Sequence, residues 1–327
     1  MKQLFFRSSG LLLAFALAVP AWMLGSLVPL VGAPVFAILI GMILSFFRRP
    51  AFLEEGIRVS GKFVLQYAII FLGFSLDLGV VLRVGVQSLA VMLFTLSAAF
   101  ATAYLVGKAL RLDQNLKILI GVGTSICGGS AIAATAPVIE ASSEDVTFAI
   151  STIFLFNIVA VFLFPALGRL MSMSDNAFGL WAGTAINDTS SVVAAAFSYS
   201  DAAGRLATVV KLTRTLMIIP ITLTLAFAHA RGTRGESGRL DIGKIVPWFV
   251  LGFLAASLAR TVGLLHPAAS SALNEVGKFG ICAAMAAIGL NANPIKLFHN
   301  GVRPIFLGLA CWAAVAVVSL AVQRTGL

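Results

Sequence analysis

Long apolar runs alternate with short polar connections along almost the whole chain. Cutting at polar, Pro and Gly punctuation gives eleven apolar segments, near 11–31, 34–47, 62–77, 86–107, 117–139, 146–168, 177–199, 207–228, 245–264, 269–290 and 303–323. Apart from the short 34–47, they have roughly the length of about 17–25 residues that a helix needs to cross the hydrocarbon core. The pattern predicts an all-α polytopic membrane protein of about 11 transmembrane helices, forming one integral membrane domain over residues 1–327.

Two of these runs carry polar interruptions. Gly-Thr-Ser-Ile-Cys-Gly-Gly-Ser occupies 123–130 and Gly-Thr-Ala-Ile-Asn-Asp-Thr-Ser-Ser occupies 183–191. Hydrocarbon tolerates a helix because the helix satisfies its own backbone, so such stretches must face protein or a polar cavity. They align at an offset of 60 residues, Thr124 with Thr184 and Ile126 with Ile186 among others. Paired interrupted segments mark the binding site of many transporters. A second similarity relates Gly61, Gly73 and Gly85 to Gly277, Gly289 and Gly301. It links the third segment to the tenth, seven crossings apart, so the two run in opposite directions as in an inverted repeat. The interrupted segments, two crossings apart, run in the same direction if each spans. One simple repeat does not reconcile the two relations, which points to a re-entrant or broken helix and a crossing count off by one or two.

Composition narrows the class. A mean hydropathy of +1.00 with 11% charged residues excludes a soluble domain, which carries about 25%. The net charge of +10 comes from basic residues scattered over short loops, which suits topology better than nucleic acid. With the N-terminus cytoplasmic, sixteen basic residues fall inside and six outside, Arg169 counted inside and Lys211 outside, so the C-terminus is expected outside. The first apolar run continues to Val31, too long for a cleaved signal core, and reads as a retained helix. Cys127, Cys282 and Cys311 lie in apolar segments and suggest neither disulfides nor zinc. The nucleotide-binding run Gly-x-x-x-x-Gly-Lys-[Ser/Thr] is absent, so ATP is not the expected energy source.

The candidate site gathers Thr124, Ser125, Gly128, Gly129 and Ser130 from the first interruption, Asn187, Asp188, Thr189 and Ser190 from the second, and Lys211 and Arg214 from the following segment. Arg214 lies about 12 Å inside its segment at 1.5 Å per residue, where a positive charge needs a partner or a wet cavity. Asp188 is the partner expected for it. Two readings stay open: a fixed Asp188–Arg214 pair holding helices together, or an Asp188 that exchanges a proton or cation as a carrier cycles. Lys211 and Arg214 could instead snorkel to the interface along their aliphatic stems. Gly128 and Gly129 either free backbone N–H groups for an anion or only permit close packing. Asn157 reads as an interhelical hydrogen bond.

The stretches 123–132 with 136–139, 179–195 and 207–214 resemble the YeiH-type sulfate exporter family, over essentially the whole chain. That family is similar to the larger group of bile-acid symporters and sodium–proton antiporters. The resemblance implies a core domain with crossed discontinuous helices moving against a panel domain. The expected function is a secondary transporter of a small anion, sulfate or an organosulfonate, in the bacterial inner membrane. Its coupling ion would be H+ or Na+, with no other cofactor, no metal and no enzymatic activity. Its partners would be the lipid bilayer, the solute and a second copy in a homodimer. The alternative is an intramembrane enzyme or receptor-like protein using the same polar pocket.

Overall fold

The computed structural model describes residues 2–28, 31–222, 224–225, 248–292 and 302–325, and the regular elements among them are all helical. Arg231, Arg234, Arg239, Lys244 and Lys296 from the charge count lie outside the described residues. The helices are α1 (Lys2–Leu27), α2 (Ala33–Ser45), α3 (Ala51–Gly73), α4 (Leu78–Ala109), α5 (Gln114–Ser125), α6 (Gly129–Thr135) and α7 (Ser143–Leu170). They continue with α8 (Asp175–Ala185), α9 (Thr189–Tyr199), α10 (Asp201–Leu216), α11 (Trp248–Thr261), α12 (Pro267–Asn291) and α13 (Val302–Arg324). Six of the described helices, α1, α3, α4, α7, α12 and α13, are long and apolar enough to cross a membrane; α2 and α11 are shorter apolar helices.

Polar punctuation sets the boundaries. Asp77, Ser142, Ser174 and Ser200 cap the N-termini of α4, α7, α8 and α10 by accepting from backbone N–H groups, as short oxygen-bearing side chains do. At the other ends, Leu112 N–H donates to Gly107 (3.0 Å), Ala141 to Ala136 (2.9 Å) and Met173 to Gly168 (3.0 Å). Arg111, Glu140 and Ser172 take positive φ beside them, the six-to-one closure that stops a helix sharply.

Close contacts fix the helix directions. In one group, Pro34 and Ile281 line the same cavity and Gly41 lies against Gly289, so α2 runs parallel to α12. Gly61 lies against Ile288, and Gly277 against Ala68 and Leu72, so α3 runs antiparallel to α12. The third and tenth segments thus take the opposite directions that their glycine spacing implies. The α11 helix packs along α3 in the same direction, Gly252 against Ile70 and Gly73 against Phe253 and Ala256.

The second group contains the difference from expectation. Segments 117–139 and 177–199 do not pass through the fold as single helices; each turns back as a hairpin. In the second, the Phe178 and Tyr199 rings stack with centroids 3.9 Å apart, although 21 residues of continuous helix would separate them by about 31 Å. The Tyr199 hydroxyl donates to Met173 (2.5 Å) and Ser200 to Asp175 (2.7 Å), so α9 ends beside the start of α8.

The first hairpin follows from its neighbours. Gly107 lies against both Lys117 and Leu307, Gly121 against Ala103, and Cys311 Sγ reaches Ala99 O (3.8 Å), so α4 is antiparallel to α5 and α13. Gly308 lies against Thr152 and Phe156, and Trp312 packs on Phe156 and Phe164, so α13 and α7 run together. Helices α5 and α7 therefore start at the same end of the bundle, and the chain between them must return. Inside the hairpin, Gly123 lies against Ile132, nine residues on. The resemblance implied discontinuous helices; here the discontinuities are hairpin tips.

Candidate functional site

The two tips meet inside the bundle, one hairpin entering from each end. At the first, α5 stops at Ser125 and α6 begins at Gly129; at the second, α8 stops at Ala185 and α9 begins at Thr189. The first turn depends on Gly128, whose φ of 69° and ψ of −130° suit glycine almost alone. Each break exposes the last carbonyls of a helix, the negative end of its dipole.

Helix α10 supplies the positive charge that these carbonyls need. Lys211 Nζ donates to Ile126 O (2.8 Å) and Ile186 O (2.9 Å). Arg214 donates through Nε to Ser125 O (2.6 Å), through Nη2 to Thr124 O (2.7 Å) and through Nη1 to Thr184 O. Both side chains have 0% exposure. Thr124 and Thr184, like Ile126 and Ile186, are the pairs related by the 60-residue offset, so one cation ties each pair of equivalent carbonyls together.

This corrects the expected pairing. Among the described residues no ion pair joins Asp188 to Arg214. Asp188 instead caps α9: its Oδ2 accepts from Ser190 N–H (2.9 Å) and from the Ser190 hydroxyl. Asn157 Oδ1 on α7 accepts from Asp188 N–H (3.1 Å), which makes it the interhelical bond expected. Lys211 and Arg214 do not snorkel either. Burial leaves them no route to an interface, and backbone carbonyls accept their hydrogen bonds.

The expected residues gather at the two tips and on α10. Thr124 and Ser125 are wholly buried at the end of α5, and Thr189 and Ser190 are buried at the start of α9. Gly128 is buried, and Gly129 borders open space. Ser130 is exposed. Asn187 is 1% exposed, yet neither atom of its side-chain amide has a protein partner; Thr124 Oγ1 also has none. Buried polar atoms without partners are rare and costly, so these groups mark where a bound molecule would be satisfied.

Some participants escaped the residue-type reading. The carbonyls of Ile126 and Ile186 belong to apolar residues, and the offset alignment was the signal that could have found them. Thr184 was outside the candidate list, but its carbonyl meets Arg214 and its hydroxyl meets Ser319 of α13 (2.6 Å). At the end of the bundle where α10 starts, a cavity of about 310 Å³ opens between α1, α2 and α12 on one side and α9 and α10 on the other. Lys278 lies in its wall and reaches Asp201 of α10 (2.5 Å) and Glu275 (3.0 Å). Arg169, counted as cytoplasmic, donates to Ser198 O (2.7 Å) and so belongs to this same end.

Fold and site define a helical integral membrane protein whose polar centre is built from two buried hairpin tips. The chain belongs to the family described as Conserved hypothetical protein 698, whose model matches residues 9–308. It is 48% identical to a UPF0324 membrane protein of Streptococcus agalactiae, covering 96% of each chain. It is 46% identical to one of Streptococcus mutans (99% of this chain, 98% of the relative) and 44% identical to one of Fusobacterium nucleatum (96% and 97%). The YeiH-type proteins fall within this family. No solved structure matches the chain.

Proposed function

We propose that the chain is a secondary carrier of a small anion, sulfate or an organosulfonate, driven by a proton or sodium gradient across the bacterial inner membrane. The observation that carries this reading is the meeting of two polar hairpin tips that enter from opposite ends. With α5 and α8 about 18 and 16 Å long at 1.5 Å per residue, each tip lies near the middle of a hydrocarbon core about 30 Å thick. Irregular backbone at that depth is tolerated where it lines a cavity, and a carrier needs one such site reachable from either side.

Charge supports an anion. The described residues at the junction carry two cations, Lys211 and Arg214, and one carboxylate, Asp188. The cations are engaged with carbonyls, so they act through their field, and the unpartnered Asn187 amide and Thr124 hydroxyl are the groups left to touch the solute.

With each hairpin returning to its own side, nine crossings remain: α1 to α4, α7 and α10 to α13. Only α7 crosses between the two hairpins, so the hairpins are inverted relative to each other, and α3 and α12 are inverted too. Each sequence similarity then relates two elements of opposite direction, although the offsets of 60 and 216 residues differ. The N-terminus, the basic Arg48–Arg49 turn and the Lys108–Arg111 turn share the end assigned to the cytoplasm, and the C-terminus lies outside.

Counterflow in liposomes tests the function. Full-length protein should accelerate exchange of labelled sulfate or a labelled small sulfonate against the same unlabelled anion, and Asn187→Ala should weaken it. Folded protein that exchanges no small anion would overturn the reading.

A further inference from the structure

The junction has the construction of a monovalent cation site, and its cation is part of the chain. Carbonyl oxygens at the ends of interrupted helices are the ligands that coupling cations use in carriers. Here the carbonyls of Ile126 and Ile186 converge on one point from hairpins of opposite direction. The Lys211 ammonium fills that point at 2.8 and 2.9 Å. It is wholly buried, and Arg214 on the next turn of α10 holds the carbonyls of Thr124, Ser125 and Thr184.

We propose that the Lys211 ammonium is a tethered cation occupying the place of a bound sodium ion, so that the hairpin junction is complete without sodium and becomes a small-cation site when the side chain is truncated. A bound ion leaves when its concentration falls. A tethered ion leaves only if α10 moves away from the tips. Rigid attachment thus keeps the two hairpins joined as one unit under all salt conditions. With the place of sodium taken, the driving gradient is that of protons, acting elsewhere than at these carbonyls, and Asp188 is the titratable group closest in sequence to the second tip.

Thermal melting of the full-length protein in detergent tests this without reference to any solute. Wild-type protein should melt at the same temperature in sodium chloride and in choline chloride of equal ionic strength. Lys211→Ala should melt lower in choline chloride and recover several degrees, saturably, with methylammonium or sodium, because a ligand that binds only the folded state stabilises it in proportion to occupancy. Lys211→Arg, which keeps charge and donors, should show no such recovery. Saturable stabilisation of the wild type by sodium would overturn the inference, as would folded Lys211→Ala that melts alike in every salt. If Lys211→Ala does not fold, the wild-type comparison still decides. Because the readout is stability, a failed counterflow assay would leave this result standing, and the reverse holds as well.

Discussion

The two hairpins share a plan and differ in how their tips are finished. Both end their first helix at carbonyls held by α10, and at equivalent positions. Beyond the break they diverge. The second tip continues into α9, 11 residues long, capped by Asp188 and tied to α7 through Asn157. The first tip turns on Gly128 into α6, 7 residues long, with no side-chain cap, open space beside Gly129 and an exposed Ser130. The second tip is a finished structural corner, whereas the first has backbone exposed to whatever occupies the adjacent space. Both tips have cation contacts, and only the second is closed by a side-chain cap.

The largest expected effect falls where the copies are alike. Arg214→Gln removes a donor set shared by three buried carbonyls, and each one left without a partner carries a penalty of about 1–3 kcal/mol. A loss of about 3–5 kcal/mol in stability, read by thermal melting, is expected; a loss below about 1 kcal/mol would show that the shared contacts do not hold the tips. Next comes the first tip alone. Gly128→Ala forces a side chain into a glycine conformation and should cost about 1–3 kcal/mol, while Gly129→Ala, in open space at a helix start, should stay within about 0.5 kcal/mol.

The second tip gives a smaller effect with a sharper functional reading. Asp188→Ala should cost about 0.5–2 kcal/mol through the lost cap, and Asp188→Asn, which still accepts from Ser190, should cost less. If Asp188 carries the coupling charge, Asp188→Asn will exchange anion in counterflow yet lose the dependence of net transport on the gradient. Wild-type gradient dependence in folded Asp188→Asn would remove Asp188 from that role. The smallest effect belongs to the partly exposed Lys278–Asp201 pair. Asp201→Asn should change stability by about 0–1 kcal/mol, less at high salt, and a larger change would make that contact a principal link between the helix groups.

Much of this was legible in the residues. The interruptions at 123–130 and 183–191 were visible because glycine and hydroxyl residues are out of place in lipid, and the buried Lys211 and Arg214 because charge is. The fold-back was not, since a hairpin with apolar flanks has the same hydropathy profile as a single crossing. The conflict between the two repeat relations was its only trace. The pairing of Asp188 with Arg214 was misjudged for a related reason: residue types suggest charge partners, while backbone carbonyls at a helix end compete equally well and have no letter of their own. Asp188 beside Ser190 also reads as a cap once the helix start at Thr189 is known.

The central claim, that the hairpins return to the ends from which they start, is tested most directly by the sidedness of single cysteines. In a background lacking Cys127, Cys282 and Cys311, cysteine would be placed at Gln114 or Ser143, flanking the first hairpin, and at Asn176 or Ala202, flanking the second. A membrane-impermeant thiol reagent should label Gln114→Cys and Ser143→Cys from the cytoplasmic side only, and Asn176→Cys and Ala202→Cys from the outside only. Labelling of Gln114→Cys and Ser143→Cys from opposite sides, or of Asn176→Cys and Ala202→Cys from opposite sides, would make that segment a crossing and contradict the account.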